Sequence, residues 1–85
     1  MANYSASNVL VFDSSGVSPP NATVVAIKVI AGSGAVSIQN EASQTGKVIY
    51  EDPGTTTHVD QVSFFDSHGV YVNISGTSKV YLYLK

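Results

Sequence analysis

The chain has no cysteine, so no disulfide can staple it, and with no evident metal cluster the usual reinforcements of a small fold are missing. Charge is scarce as well. Asp, Glu, Lys and Arg make up 12% of the residues against a norm of about 25%, which leaves Ser, Thr, Asn, Gln and Gly to build the surface. The four cations, Lys28, Lys47, Lys79 and Lys85, are scattered, and the formal net charge is -2. No basic stripe can follow a phosphate backbone, so direct nucleic-acid binding is set aside. No apolar run approaches the roughly 20 residues that span a bilayer, and residues 1–8 are polar and uncharged, without the basic-then-apolar order of a signal peptide. The expectation is a protein made in a cytosol and kept soluble, with no membrane contact.

At 85 residues the chain is read as one domain, residues 1–85, and a domain of this size buries only about two-thirds of the surface its unfolded chain exposes. A thin core without staples leaves self-association as the remaining source of buried area.

What is present is two-residue alternation. In residues 61–85, Val70, Val72 and Ile74 alternate with Tyr71, Asn73 and Ser75. After Ser75-Gly76-Thr77 the pattern restarts, with Val80, Leu82 and Leu84 against Tyr81, Tyr83 and Lys85. Successive side chains of a strand point to opposite faces, so this spacing predicts a β-hairpin with six aliphatic groups on one face and a tyrosine-rich set on the other. Upstream, residues 8–13 hold the apolar run Val9 to Phe12, and residues 14–21 hold two prolines and a glycine, the composition of a loop crossing between sheets or around an edge. Residues 23–31 are apolar on both faces except at Lys28, and their β-branched residues favour strand over helix. Gly32-Ser33-Gly34 reads as a tight reversal that pairs this strand with Val36 and Ile38. Strands follow at 47–51 and 58–65. Between them residues 52–57 open on a Pro-Gly turn and are expected to be exposed and mobile. About seven short strands without a helical period predict an all-β chain, a single small antiparallel β-sandwich of jelly-roll or immunoglobulin-like type.

Few residues offer chemistry. His58-Val59-Asp60 and Asp66-Ser67-His68 each place an imidazole and a carboxylate on one face of a strand, as one metal would need. At about 3.3 Å per residue, however, the two pairs lie roughly 20 Å apart along one strand. One chain cannot close a four-ligand site with both, so they read as solvated strand ends, with no metal and no cofactor expected; a histidine ring on a threefold axis is the one exception. No serine sits in a Gly-x-Ser-x-Gly elbow. Glu51 and Asp52 are adjacent and face opposite ways, a poor acid/base pair. The glycines precede no helix that could help bind a phosphate. Asn3-Tyr4-Ser5, Asn21-Ala22-Thr23 and Asn73-Ile74-Ser75 match the N-glycosylation pattern only by composition. No catalytic residue is assigned. The row Tyr71, Tyr81 and Tyr83 fits a subunit interface or a platform on which a sugar stacks.

The string from Phe64 through Asp66-Ser67-His68-Gly69-Val70-Tyr71-Val72 to Val80-Tyr81-Leu82-Tyr83-Leu84 resembles the carboxy-terminal hairpin of small all-β virion proteins of tailed bacteriophages. Residues 36–49 resemble their middle segment, a strand, a polar loop and a Gly-x-Val-Ile strand. The chain departs from that pattern at Gln39-Asn40-Glu41 and in its early Ser-Gly-Val-Ser-Pro-Pro loop. The resemblance covers about half of the chain. It implies a non-enzymatic structural or decoration component of a capsid or tail, located in the virion and assembling on a symmetric particle with itself and with other virion proteins. The competing expectation is a free-standing module that recognises a glycan or host surface through its exposed tyrosines. The two-sided apolar strand further predicts a homo-oligomer, with Val24, Ala26, Ile30, Tyr71, Tyr81 and Tyr83 as candidate interface residues. The phage resemblance alone makes it a trimer.

Overall fold

A computed structural model describes residues 4–6, 9–43 and 45–85. The first residues read for signal character, Asn3 of one glycosylation match, and Asn8 at the start of the expected first strand lie outside that set. Among the described residues there are nine strands and no helix: β1 (Tyr4–Ala6), β2 (Val9–Phe12), β3 (Gly16–Val17), β4 (Ala22–Ile30), β5 (Val36–Gln39), β6 (Val48–Asp52), β7 (His58–Asp66), β8 (Tyr71–Ile74) and β9 (Lys79–Leu84). They form a five-stranded sheet in the order β1-β2-β9-β4-β7 and a four-stranded sheet in the order β3-β8-β5-β6. The pairings are antiparallel. The all-β, two-sheet expectation holds, and the short β1 and β3 join the seven anticipated strands.

The alternation is borne out and the expected pairing is not. Val70, Val72, Val80 and Leu82 are fully buried, and Ile74 and Leu84 pack against them. Yet β8 belongs to the four-stranded sheet and β9 to the five-stranded one. The expected hairpin is an arch, and its six aliphatic groups meet across the core, three from each sheet. The same correction applies to β4 and β5, which the Gly32-Ser33-Gly34 segment carries into different sheets. Alternation specifies which side of a strand is apolar and leaves its neighbour open. Of the sequence neighbours, only β1–β2 and β5–β6 pair.

The expectation for β4 fails at one residue for a local reason. Its register slips between Val24 and Ala26 against both β7 and β9, and against β9 this is a bulge that leaves Val25 as an extra residue, at the surface. Val24 and Ile27 therefore both face inward and are fully buried. Val24, a candidate interface residue, is part of the core. Ala26, Lys28 and Ile30 face outward and are half-buried.

The connections between sheets are tied to one another at one end of the sandwich. Ser33 N–H donates to Thr77 Oγ1 at 3.0 Å and Thr77 N–H donates back to Ser33 Oγ at 3.2 Å. Ser75 N–H reaches the Ala35 carbonyl, and Gly32 N–H reaches that of Gly54. The backbones touch so closely that a Cβ on Gly34 would stand 1.8 Å from the Ser75 carbonyl oxygen. Residues 52–57, expected to be loose, are exposed at most positions but anchored. Gly54 is buried, its N–H donates to Asp52 Oδ2 at 2.8 Å, and Thr57 Oγ1 accepts the Ala31 N–H at 2.9 Å.

Two substitutions test this account. Leu82→Ala removes a fully buried side chain and should lower unfolding free energy by about 2–5 kcal/mol; an unchanged denaturant midpoint would contradict the face assignment. Gly34→Ala forces two arches apart and should cost at least about 1–3 kcal/mol, read from the same unfolding curves.

Candidate functional site

Two regions carry side chains that could act on something outside the chain. The first is the outer face of the five-stranded sheet. The register sets Val11, Tyr81, Lys28 and Val59 side by side across β2, β9, β4 and β7, with Tyr83 beside Ala26 and Lys79 beside Ile30 in the neighbouring rows. Val59 and Phe65, on the same face of β7, are 54% and 59% exposed. Lys28 Nζ lies 5.9 Å above the Tyr81 ring centroid, a cation–π contact that holds the ammonium flat against the sheet. Among the described residues of these strands, none that faces this way is Asp or Glu.

The tyrosine row read from the sequence is divided. Tyr81 and Tyr83 stand on this face, whereas Tyr71 stands on the four-stranded sheet between Val17 and Gln39. The thickness of the sandwich separates them, so the three rings do not form one platform.

The second region lies where β6, the edge of the four-stranded sheet, faces β7, the edge of the five-stranded sheet. Alternation turns Tyr50 and Asp52 inward from β6, and His58 and Asp60 inward from β7. His58 Nε2 stands 2.9 Å from Asp52 Oδ1 and 3.3 Å from Asp60 Oδ2. On the other side of the ring, Nδ1 lies 2.9 Å from the Thr56 carbonyl oxygen. That bond raises the His58 pKa above its ordinary 6.5, and the two carboxylates add to it. The Tyr50 hydroxyl donates to Asp60 Oδ2 at 2.6 Å. Burial and that acceptor hold the phenol protonated, with its pKa well above 10.0.

His58 and Asp60 stay partly solvated, as expected of strand-end residues, but they gain a partner that the expectation did not include, Asp52. Asp52 was missed as their partner because it comes from the other sheet, and the signal for it was the short Pro53-Gly54 connection between an acid and a histidine. Asp52 does face away from the exposed Glu51, as adjacency required. The second pair stays apart, at the far end of β7.

There Asp66 has a different task. Its carboxylate accepts the Glu41 N–H and the His68 N–H, each at 2.8 Å. These bonds, in that order, and then the charge of His68 hold the Asp66 carboxyl below its ordinary 3.8. Glu41 and Ala42 both have positive φ, 60° and 50°, a conformation costly for side-chain-bearing residues. Asp66 fixes the first, and the Gly69 carbonyl, accepting the Ala42 N–H, fixes the second.

An open groove of about 370 Å³ runs past Ser37, Glu51, Asp52 and Asn73 on the four-stranded side. No nucleophile and base are hydrogen-bonded to each other among its lining residues in the described contacts. No family model, curated protein or solved structure matches the chain.

A carboxyl whose pKa is lowered by folding contributes stability above its unfolded pKa and loses it as pH falls through the folded value. Asp66→Asn should therefore lower the melting temperature at neutral pH. The gap to the parent should close on acidification from about pH 4 downward. Thermal unfolding across that range checks this, and a gap that stays constant would contradict it.

Proposed function

We propose that the chain is a non-enzymatic structural component of a bacteriophage-like particle, in a capsid, tail or decoration layer, that assembles with copies of itself through the outer face of the five-stranded sheet. The observation that carries this reading is that face. It combines Ala26, Ile30, Val59 and Phe65 with two tyrosines, and lacks carboxylates among the described residues. Aliphatic and aromatic groups at that density are what association covers, and tyrosines suit an interface because they bring a large ring with a polar tip. A domain with a thin core and no disulfide gains buried area in this way.

The strand order supports a finer description of the fold. With β2 to β9 taken as eight consecutive strands, the first, eighth, third and sixth form one sheet and the second, seventh, fourth and fifth form the other. This is the order of a jelly roll, an architecture used in capsid and lectin domains. We favour it over an immunoglobulin-like arrangement, whose sheets keep more sequence-adjacent strands together. Fold alone does not assign function. The capsid-type reading draws on the phage resemblance of residues 36–49 and 64–84, and so do the trimeric state, the virion location and any contact with other virion proteins. Glycan recognition through the tyrosines loses support, because Tyr71 lies on the other sheet.

Light scattering coupled to size-exclusion chromatography at tens of micromolar tests the assembly. The expected outcome is a homo-oligomer, with a trimer supporting the phage reading. Ile30→Asp combined with Val59→Asp should shift the species toward monomer, since each places a charge in the apolar patch. A parent protein that runs as an 8.9 kDa monomer would overturn the proposal.

A further inference from the structure

We infer that Asp52, His58 and Asp60 form a binding site for a divalent first-row transition ion of zinc type, which clamps the two sheets together along their open side. The site mixes one imidazole with two carboxylates, and its donors come from both sheets. One ligand atom from each residue lies within 4.8 Å of the others. A zinc ion with bonds of about 2.0–2.1 Å holds tetrahedral donors roughly 3.3 Å apart. The Nε2 to Asp60 oxygen distance is 3.3 Å, and the Nε2 to Asp52 oxygen distance is 2.9 Å. On these two edges seating an ion takes movements of a few tenths of an ångström, and the two carboxylate oxygens lie within 4.8 Å of each other. It does not require refolding of either strand.

The outer ring of hydrogen bonds matches what a metal-binding histidine and its carboxylates need. With Nδ1–H donated to the Thr56 carbonyl, the lone pair of the neutral ring is on Nε2, the nitrogen that faces both aspartates. Gly54 N–H occupies Asp52 Oδ2, which leaves Oδ1 turned toward the ring. The Tyr50 hydroxyl orients Asp60. A neutral imidazole and two carboxylates that turn their lone pairs on one another need a positive charge between them. A proton on Nε2 supplies one charge to one donor, whereas a divalent ion satisfies all three. The ion and the proton compete for Nε2, so binding releases protons when His58 starts protonated.

The chemistry of the donors selects the ion. An imidazole nitrogen suits zinc and its first-row neighbours, whereas magnesium and calcium prefer all-oxygen shells of higher coordination. The side chains of Asp52, His58 and Asp60 are 11%, 30% and 45% exposed. The site is thus reachable from solvent, and its fourth position is left for water. His68 and Asp66 lie at the other end of β7 and take no part.

The test uses the tag-free chain, stripped with a chelator and titrated with zinc chloride by calorimetry. The expected result is one ion per chain and a raised melting temperature. His58→Gln and Asp52→Asn should each weaken binding more than tenfold. Tyr50→Phe, which removes only the orienting hydroxyl, should weaken it by about tenfold or more. Because a variant can fail to fold, the parent protein is also followed by NMR, where zinc should move the His58 ring signals and leave those of His68 in place. No saturable binding up to about 1 mM zinc chloride, ring shifts confined to His68, or folded Asp52→Asn protein that binds like the parent would each overturn the inference. The oligomeric state does not enter this test, so its result is independent of the assembly proposed above.

Discussion

The fold depends on the close contact between the connections that carry the chain from one sheet to the other. Gly34 approaches the backbone of Ser75 with no room for a Cβ, Ser33 and Thr77 exchange hydrogen bonds, and Gly32 bonds to Gly54. Three arches are thereby locked side by side. Their relative placement decides that β4 lies across the core from β5, and β8 across from β9. It also decides that the edge strands β6 and β7 face each other. A substitution that spreads these arches loosens the whole sandwich, because only two pairs of strands are joined by local hairpins, and the rest of the pairing relies on segments distant in sequence.

That dependence explains what could be read from the amino acids and what could not. The period of two named the buried side of the last two strands correctly, because Val70, Val72, Val80 and Leu82 had nowhere to go but a core. The glycines in 32–34 and at 76 mark a change of chain direction equally well for a hairpin and for an arch. The difference lies in the neighbouring arch against which the glycine packs, and that contact is non-local. The bulge at Val25 was hidden for another reason. Val24, Val25, Ala26 and Ile27 are all apolar, so a slip of one residue leaves no break in the pattern. Where polar and apolar residues alternate cleanly, as in β8 and β9, the faces were legible along the strand.

The cluster around His58 shows the same division. His58 and Asp60 share a face because they are two residues apart, a local fact. Asp52 joins them because the 53–57 connection crosses between sheets, and the bonds of Gly54 and Thr57 hold that crossing to the arch of residues 31–35. The candidate site is therefore a consequence of the arch packing. Tyr71, Tyr81 and Tyr83 give the converse case. Their spacing placed them in one row, and the sheet change between β8 and β9 separated them.

Edge and face also have different roles. β7 is nine residues long, lies at the edge of its sheet, and contains neither proline nor lysine, two common devices against edge-to-edge pairing. It carries a third device: His58, Asp60 and Asp66 point inward along it. A second strand laid against this edge would press on Asp52 and His58 and remove water from carboxylates whose charge is only partly compensated, a costly step. The outer face a few ångströms away imposes no such cost, since Val59, Ile30 and the two tyrosines present apolar surface, and Lys28 already rests on Tyr81. The same alternation that sends the ionisable groups of β7 inward sends Val59 and Phe65 outward. Removing water is thereby less costly on the face of the sheet than at its edge.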